Sequence, residues 1–342
     1  MEHRLLGASG LSVSRLCLGT MTFGVETDEA ASHAQLDAFA DAGGTLVDTA
    51  DVYGRGVSEE IVGRWLAARP DARDRIVLAT KGRFPMGAAP NHVGLSRKHL
   101  AEALDASLRR LGVDTIDLYQ LHSFDPLTPL DETLRFLDDA AAAGKVHYWG
   151  LSNFLGYQIA TITERTRARG WVAPISLQPQ YNLLTRHIEL EVLPAALDGG
   201  LGLLPWGPLA GGWLTGKYRR DARPAGATRL GEDANRGMEA YDRRNTDATW
   251  RTLDELAAVA EASGLTPAQA ALAWVADRPG VVAPILGART VEQLLGSLAI
   301  ADTHLDAAAA ARLDAVSAPQ LPDYPYGELG IDQRSRSVAG SR

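Results

Sequence analysis

Short apolar runs alternate with longer amphipathic ones along most of this chain. The apolar runs are "RLCLG" (15–19), "TLVD" (45–48), "RIVLAT" (75–80) and "TIDLYQL" (115–121), followed by "VHYWGL" (146–151), "ISLQ" (175–178), "LGLLPW" (201–206) and "VVAPIL" (281–286). Nearly continuous apolar segments of this length are what strands require when both faces of a parallel sheet are covered. The stretches between them carry helix-start signals. Ser58 precedes "EEIVGRWLAA", and Ser96 precedes "RKHLAEALDASLRRLG", which Gly112 stops. Thr128 stands before Pro129 and Asp131 in a capping pattern. Eight strand–helix units in series predict a (β/α)8 TIM barrel, an α/β fold, as a single domain over 1–342.

Two segments depart from the repeat. Residues 217–249, after the seventh strand, are polar, Gly-rich and charged, which predicts a long loop that binds cofactor or substrate. Helices are expected around 250–263, 267–277 and 306–317. Residues 318–342 then form a C-terminal extension, partly mobile, whose Tyr324 and Tyr326 are placed to fold over the barrel mouth.

Composition narrows the function. A net charge of -8 disfavours a sequence-independent nucleic-acid surface, which needs a basic stripe. Cys17 is the sole cysteine, so no internal disulfide can form, and it reads as a small apolar residue of the first strand. No run approaches the roughly 18 apolar residues of a spanning helix, and the N-terminus lacks a signal-like core. The chain is therefore expected to be cytoplasmic, with no membrane partner. The histidines show no H-x-x-x-H spacing and have no cysteine beside them, so no metal is expected.

In a barrel of this kind, reactive groups stand at the C-terminal ends of strands. Those ends read Asp48, Lys81, His122, Ser152 with Asn153, Gln178 and Trp206. Each alone has an ordinary alternative: a helix cap for Asp48, a solvated loop residue for Lys81, a hydrogen-bonded core residue for His122, packing for Trp206. Together they read as a site. "GGLGLLPWG" fails the dinucleotide fingerprint at Pro205, and "GGWLTGKY" has Tyr218 where a triphosphatase loop needs Ser or Thr.

The segments "LVDTADVYGRGVSEEIVGRWL", "VLATKG", "DLYQLH", "GLSN", "LQPQYN" and "LLPWGPLAGGWLTGKY" resemble the aldo-keto reductases, in the longer-loop branch that includes potassium-channel β subunits and deoxysugar 2,3-reductases. The resemblance implies a catalytic tetrad of Asp48, Tyr53, Lys81 and His122. It also implies a nicotinamide site built from Thr20, Ser152, Asn153, Gln178 and Trp206, with Pro208, Leu209, Gly211 and Lys217 along the phosphate loop. "ILGARTVEQLLGSLAI" resembles the segment that grips an adenosine 2′-phosphate, through Gly287, Arg289 and Gln293, so NADPH is expected over NADH. Gly296-Ser297 stand where the family has Glu-Asn, and Gly207 where it has serine.

The chemistry is coherent beside that resemblance. Carbonyl reduction builds negative charge on oxygen and needs a proton donor. A phenol is a weak acid unless a cation stabilises its phenolate, and a carboxylate keeps that cation charged. The expected chain of influence is Asp48 on Lys81 and Lys81 on Tyr53, lowering the phenol's pKa. Phe23, Phe84, Met86, Phe124, Phe154, Trp206 and Tyr324 are expected to frame a pocket for a small-molecule aldehyde, ketone or keto-sugar. Homo-oligomerisation stays open. Two other readings use the same residues: a cofactor-binding regulatory subunit with slow turnover, and a Schiff-base lyase using Lys81.

Overall fold

The computed structural model describes residues 1–226, 228–233 and 237–327. An antiparallel hairpin opens the chain, β1 (His3–Leu5) paired with β2 (Ser12–Ser14). Eight parallel strands follow: β3 (Cys17–Gly19), β4 (Leu46–Asp48), β5 (Val77–Gly82), β6 (Ile116–Leu121), β7 (Val146–Ser152), β8 (Ser176–Gln178), β9 (Gly202–Leu203) and β10 (Ile285–Leu286). They lie in the order β10-β3-β4-β5-β6-β7-β8-β9. The ring closes between its ends, where Val282 N donates to Leu203 O at 2.9 Å and Ile285 N to Pro205 O at 2.8 Å. The fold is the expected (β/α)8 barrel, and every expected strand is present at its expected place.

The pleat sorts the core into two. Cys17, Leu46, Ala79, Leu118 and Leu204 point into the barrel, joined by Leu6 and Val13 of the hairpin. Leu18, Val47, Leu78, Tyr119, Trp149 and Leu177 point outward, against the helices. Alternation along the strands thus fills most of both layers with apolar side chains, while β7 and β8 bury the polar Ser152, Ser176 and Gln178. The hairpin, which the alternation pattern did not predict, covers the N-terminal end of the barrel. Gly7, at its turn (φ 59), lies so close to Ile175 O and Gly200 O that any Cβ would collide with backbone. Only the opposite, C-terminal end is left for a site.

The helix signals hold in part. Ser96 caps Arg97–Leu111 by accepting from His99 N, and Gly112 ends that helix at φ 66. Ser58 is no cap: it lies inside the helix Val57–Ala68, and its hydroxyl bonds Thr20 and Thr49 within the barrel wall. Thr128 is likewise displaced, because its hydroxyl donates to Asp125 at 2.6 Å and the helix Leu130–Ala142 begins after Pro129 without a side-chain cap. The helices Asp247–Ala262, Pro267–Ala276 and Ala307–Val316 occupy the three later expected positions.

The polar segment 217–249 carries more structure than its composition suggested. Helical turns at Arg229–Glu232, Gly237–Glu239 and Tyr241–Arg244 interrupt it. Trp213, fully buried, stacks on Tyr241 at 5.5 Å and meets Tyr218 and Trp250 edge-on, pinning both ends of the segment to the barrel. Of the C-terminal extension, 318–327 are described, and Tyr326 donates to Glu191. The expectation of a mobile end falls on 328–342, outside the described residues. Among the described residues, no helix is long and apolar enough to cross a membrane.

Candidate active site

β4 ends on Asp48, and the chain then turns back sharply. Tyr53 N donates to Ala50 O at 3.2 Å, and the residues after it, Gly54 and Arg55, take left-handed φ values of 56 and 57. This turn holds the phenol at the barrel mouth while the helix Val57–Ala68 starts away from it. Lys81, next to last in β5, reaches across. Its ammonium donates to Asp48 Oδ2 at 2.6 Å, to Thr49 O at 2.9 Å and to Tyr53 Oη at 3.2 Å. Lys81 is fully buried and Asp48 nearly so. His122, just past β6, sets its ring edge-on to Tyr53 at 5.9 Å. The four residues expected to converge do so.

Gln120 belongs to the cluster as well, and sequence reasoning missed it. Its amide donates to Asp48 Oδ1 at 3.0 Å, beside Gln178, which donates to the same oxygen at 2.9 Å. Asp48 thus has one oxygen on the lysine and the other on two amides, a fully satisfied buried carboxylate. The signal was present: Gln120 stands two residues before His122, on the same face of β6, and pairs in register with Lys81.

Burial costs an ammonium, yet Asp48 and Tyr53 outweigh that and hold the Lys81 pKa above its ordinary value. The Tyr53 phenol moves the other way from expectation. Burial pushes its pKa up, and the opposing charge of Lys81 only partly offsets this, so the net shift is upward rather than downward. Tyr53 is therefore firmly protonated around neutrality. Burial, helped by the charges of Lys81 and Arg83, pushes His122 down to about 2 and keeps its imidazole neutral. Its Nδ1 is buried with no hydrogen-bond partner among the described residues.

Behind Lys81 lies a second polar group. Asp51 N donates to Lys81 O at 3.1 Å, but both its carboxylate oxygens are buried without hydrogen-bond partners among the described residues. Burial and the neighbouring Glu59 raise its pKa to about 7. Glu59 itself is satisfied by Thr80 at 2.6 Å and Arg110 at 2.7 Å.

The expected cofactor residues divide into two sets. Asn153, exposed at a left-handed φ of 61, and Trp206, whose indole N–H donates to Asn153 Oδ1 at 2.9 Å, form a surface beside His122. Asn153 also donates to His122 O at 3.1 Å. Ala210, Gly211 and Gly212 follow in successive left-handed conformations, with Ala210 N donating to Gly207 O and Gly212 N to Leu209 O, both at 2.9 Å. Leu209 and Gly211 are partly open there and Lys217 is exposed, whereas Pro208 is buried. Arg289 and the exposed Gly287 and Gln293 stand at the start of the helix Val291–Leu298, where Gln293 Oε1 accepts from Arg289 N. An indole face, the exposed Lys217 and a guanidinium at a helix start fit a dinucleotide phosphate.

Thr20, Ser152 and Gln178 are instead buried and engaged within the protein: Thr20 on Ser58, Ser152 on Gln178 O, Gln178 on Asp48. Their side chains shape the wall of the site from behind. Arg289 is also engaged, by Glu26 at 2.6 Å and by both oxygens of Glu232 at 2.8 Å. Of the residues expected at the substrate, Phe84 packs on His122 at 4.6 Å and Phe124 meets Phe154 at 5.7 Å. Met86 is half-buried in the loop after β5. Phe23 is fully buried in the core and Phe154 nearly so, and neither presents a surface; Tyr324 is 73% exposed.

A parallel barrel whose open end gathers a tyrosine, a paired lysine, a carboxylate and a neutral histidine defines a barrel oxidoreductase. The model of the aldo/keto reductase family matches residues 15–318, and the chain belongs to that family, which in general uses nicotinamide cofactors, mostly NADPH. It is 39% identical to an uncharacterized oxidoreductase, YrpG, of Bacillus subtilis (strain 168), over 90% of this chain and 93% of that protein. It is 38% identical to a probable voltage-gated potassium channel subunit beta of Oryza sativa subsp. japonica, over 88% and 92%. A versiconal hemiacetal acetate reductase of Aspergillus parasiticus is 35% identical over 86% and 90%. Carbonyl reduction in general is the activity that the family and these oxidoreductases support.

Proposed function

We propose that the chain reduces an aldehyde, ketone or keto-sugar carbonyl with NADPH, and that Tyr53 donates the proton. The observation that carries this reading is the position of Lys81 Nζ between Asp48 Oδ2 at 2.6 Å and Tyr53 Oη at 3.2 Å. When bound, the nicotinamide supplies the hydride to the carbonyl carbon. Tyr53 gives its proton to the carbonyl oxygen and is left as a phenolate, which the adjacent ammonium stabilises. Asp48, held by Gln120 and Gln178, keeps Lys81 charged throughout. His122, neutral, can hydrogen-bond the carbonyl oxygen without competing for its proton. Asn153 and Trp206 would hold the nicotinamide end, Gly211 and Lys217 the pyrophosphate, and Arg289 the 2′-phosphate.

The experiment is steady-state loss of NADPH absorbance across a panel of aldehydes, ketones and keto-sugars. Turnover with any of them supports the reading. The likeness to channel β subunits favours a second one, a regulatory subunit in which bound NADPH is oxidised once and not exchanged. A single-turnover burst with no steady state across the panel would select it. The lyase reading has weaker support, since an ammonium paired with Asp48 is a poor amine nucleophile.

A further inference from the structure

Beyond its charge helping to keep His122 neutral, Arg83 has no assigned contact in the chemistry above, yet it stands two residues beyond Lys81, just past the end of β5. Its guanidinium carbon lies 5.1 Å from the centre of the Phe84 ring, and that ring packs at 4.6 Å against His122. Its Nε is buried with no hydrogen-bond partner, and Nη2 makes only a long bond, 3.4 Å, to Phe124 O. It forms no ion pair among the described residues. The carboxylate next to it in the following loop, Asp125, is already taken by Leu95 N at 2.8 Å, Thr128 Oγ1 at 2.6 Å and Leu127 N at 2.9 Å.

What sets this half-buried guanidinium apart is that no carboxylate bonds it among the described residues, whereas the buried Arg15 is matched by Asp277 at 2.8 Å and the buried Arg186 by Glu189 at 2.8 Å. The planar fork of an arginine matches a carboxylate. The Phe84 ring lies between this charge and His122, so a hydrocarbon spacer can run along it toward the carbonyl position at Tyr53 and His122. The chain's overall negative charge would repel an anionic substrate, which makes one local cation the more selective.

We propose that Arg83 is a specificity residue that takes the carboxylate of an oxo-acid substrate, the carbonyl of the same molecule lying at Tyr53 and His122. This rests on the reading of the site as a carbonyl reductase. The carboxylate keeps its charge and undergoes no bond change; only the carbonyl is reduced.

The test compares the ortho, meta and para carboxybenzaldehydes with their methyl esters, in the wild-type protein, Arg83→Gln and Arg83→Lys. Calorimetric binding of benzoate to the cofactor-loaded protein supplies a readout independent of turnover. The wild type should favour at least one acid over its ester by about 10- to 100-fold in kcat/KM, carried by KM. Arg83→Gln should abolish that preference and benzoate binding, losing far more on the acids than on the esters, and Arg83→Lys should restore part of both. Equal rates for acids and esters in the wild type, or equal losses on both in Arg83→Gln, would make Arg83 a loop support and overturn the proposal while the reductase reading stands. No reduction of any aldehyde by the wild type would overturn the reductase reading and this one with it.

Discussion

Replacing Asp48 with asparagine removes the one carboxylate that matches a fully buried ammonium. At 2.6 Å and an effective dielectric near 20, the attraction between Asp48 and Lys81 is about 6 kcal/mol. Part of this only offsets desolvation, and loss of one member of a buried pair typically costs about 3–5 kcal/mol. Asp48→Asn should therefore be destabilised by about that much in guanidinium unfolding at neutral pH. The pH dependence discriminates further. In the wild type the Lys81 pKa is raised, so its contribution is complete below the unfolded value of about 10.4 and flat across neutrality. In Asp48→Asn burial dominates and depresses that pKa, so the unfolded state binds the extra proton. Stability of the variant should then rise between about pH 7 and 10, where this group leaves the wild type unchanged. A loss under about 1 kcal/mol, with no such slope, would refute the account of the pair.

His122 stays uncharged down to about pH 2, so the wild-type kcat/KM should show no break from this residue between about pH 5 and 8. Loss of activity should come only on the alkaline side, as Tyr53 ionises above the ordinary phenol range. Asp51→Asn should behave oppositely to Asp48→Asn. Because the folded pKa of Asp51 is raised from 3.8 to about 7, the wild type loses up to about 4 kcal/mol as pH rises through that window, and the amide should escape it. Matching pH–stability curves for the two proteins would contradict this. Arg289→Ala should weaken NADPH binding roughly 10- to 100-fold and NADH little, whereas Glu232→Gln should tighten NADPH by freeing the guanidinium. Equal losses for both cofactors in Arg289→Ala, measured by fluorescence titration, would remove its phosphate role.

The strands were legible because a sheet covered on both faces must be apolar throughout, and that pattern survives without any tertiary information. Asp48, Lys81 and His122 were legible because each stands at the C-terminal end of such a run, whereas Tyr53, five residues past β4, came only with the family resemblance. Gln120 interrupts one too, but within the strand, where a polar residue reads as a packing exception until the register sets it beside Lys81. The helix starts at Ser58 and Thr128 misled because hydroxyls that could cap locally found partners across the barrel wall and on Asp125. The direction of the Tyr53 shift could not be read from composition at all, since it depends on how far burial outweighs one neighbouring charge. Likewise, nothing in the order of residues announces that Thr20, Ser152 and Gln178 turn inward.

The central claim is that Tyr53 is the proton donor, and Tyr53→Phe tests it most directly when kcat and NADPH affinity are measured on the same preparation. The phenyl ring keeps its packing against His122, so the variant should bind NADPH as the wild type does while kcat falls by about 10²- to 10⁴-fold. Retention of most of kcat, or loss of activity that follows loss of cofactor binding, would contradict it.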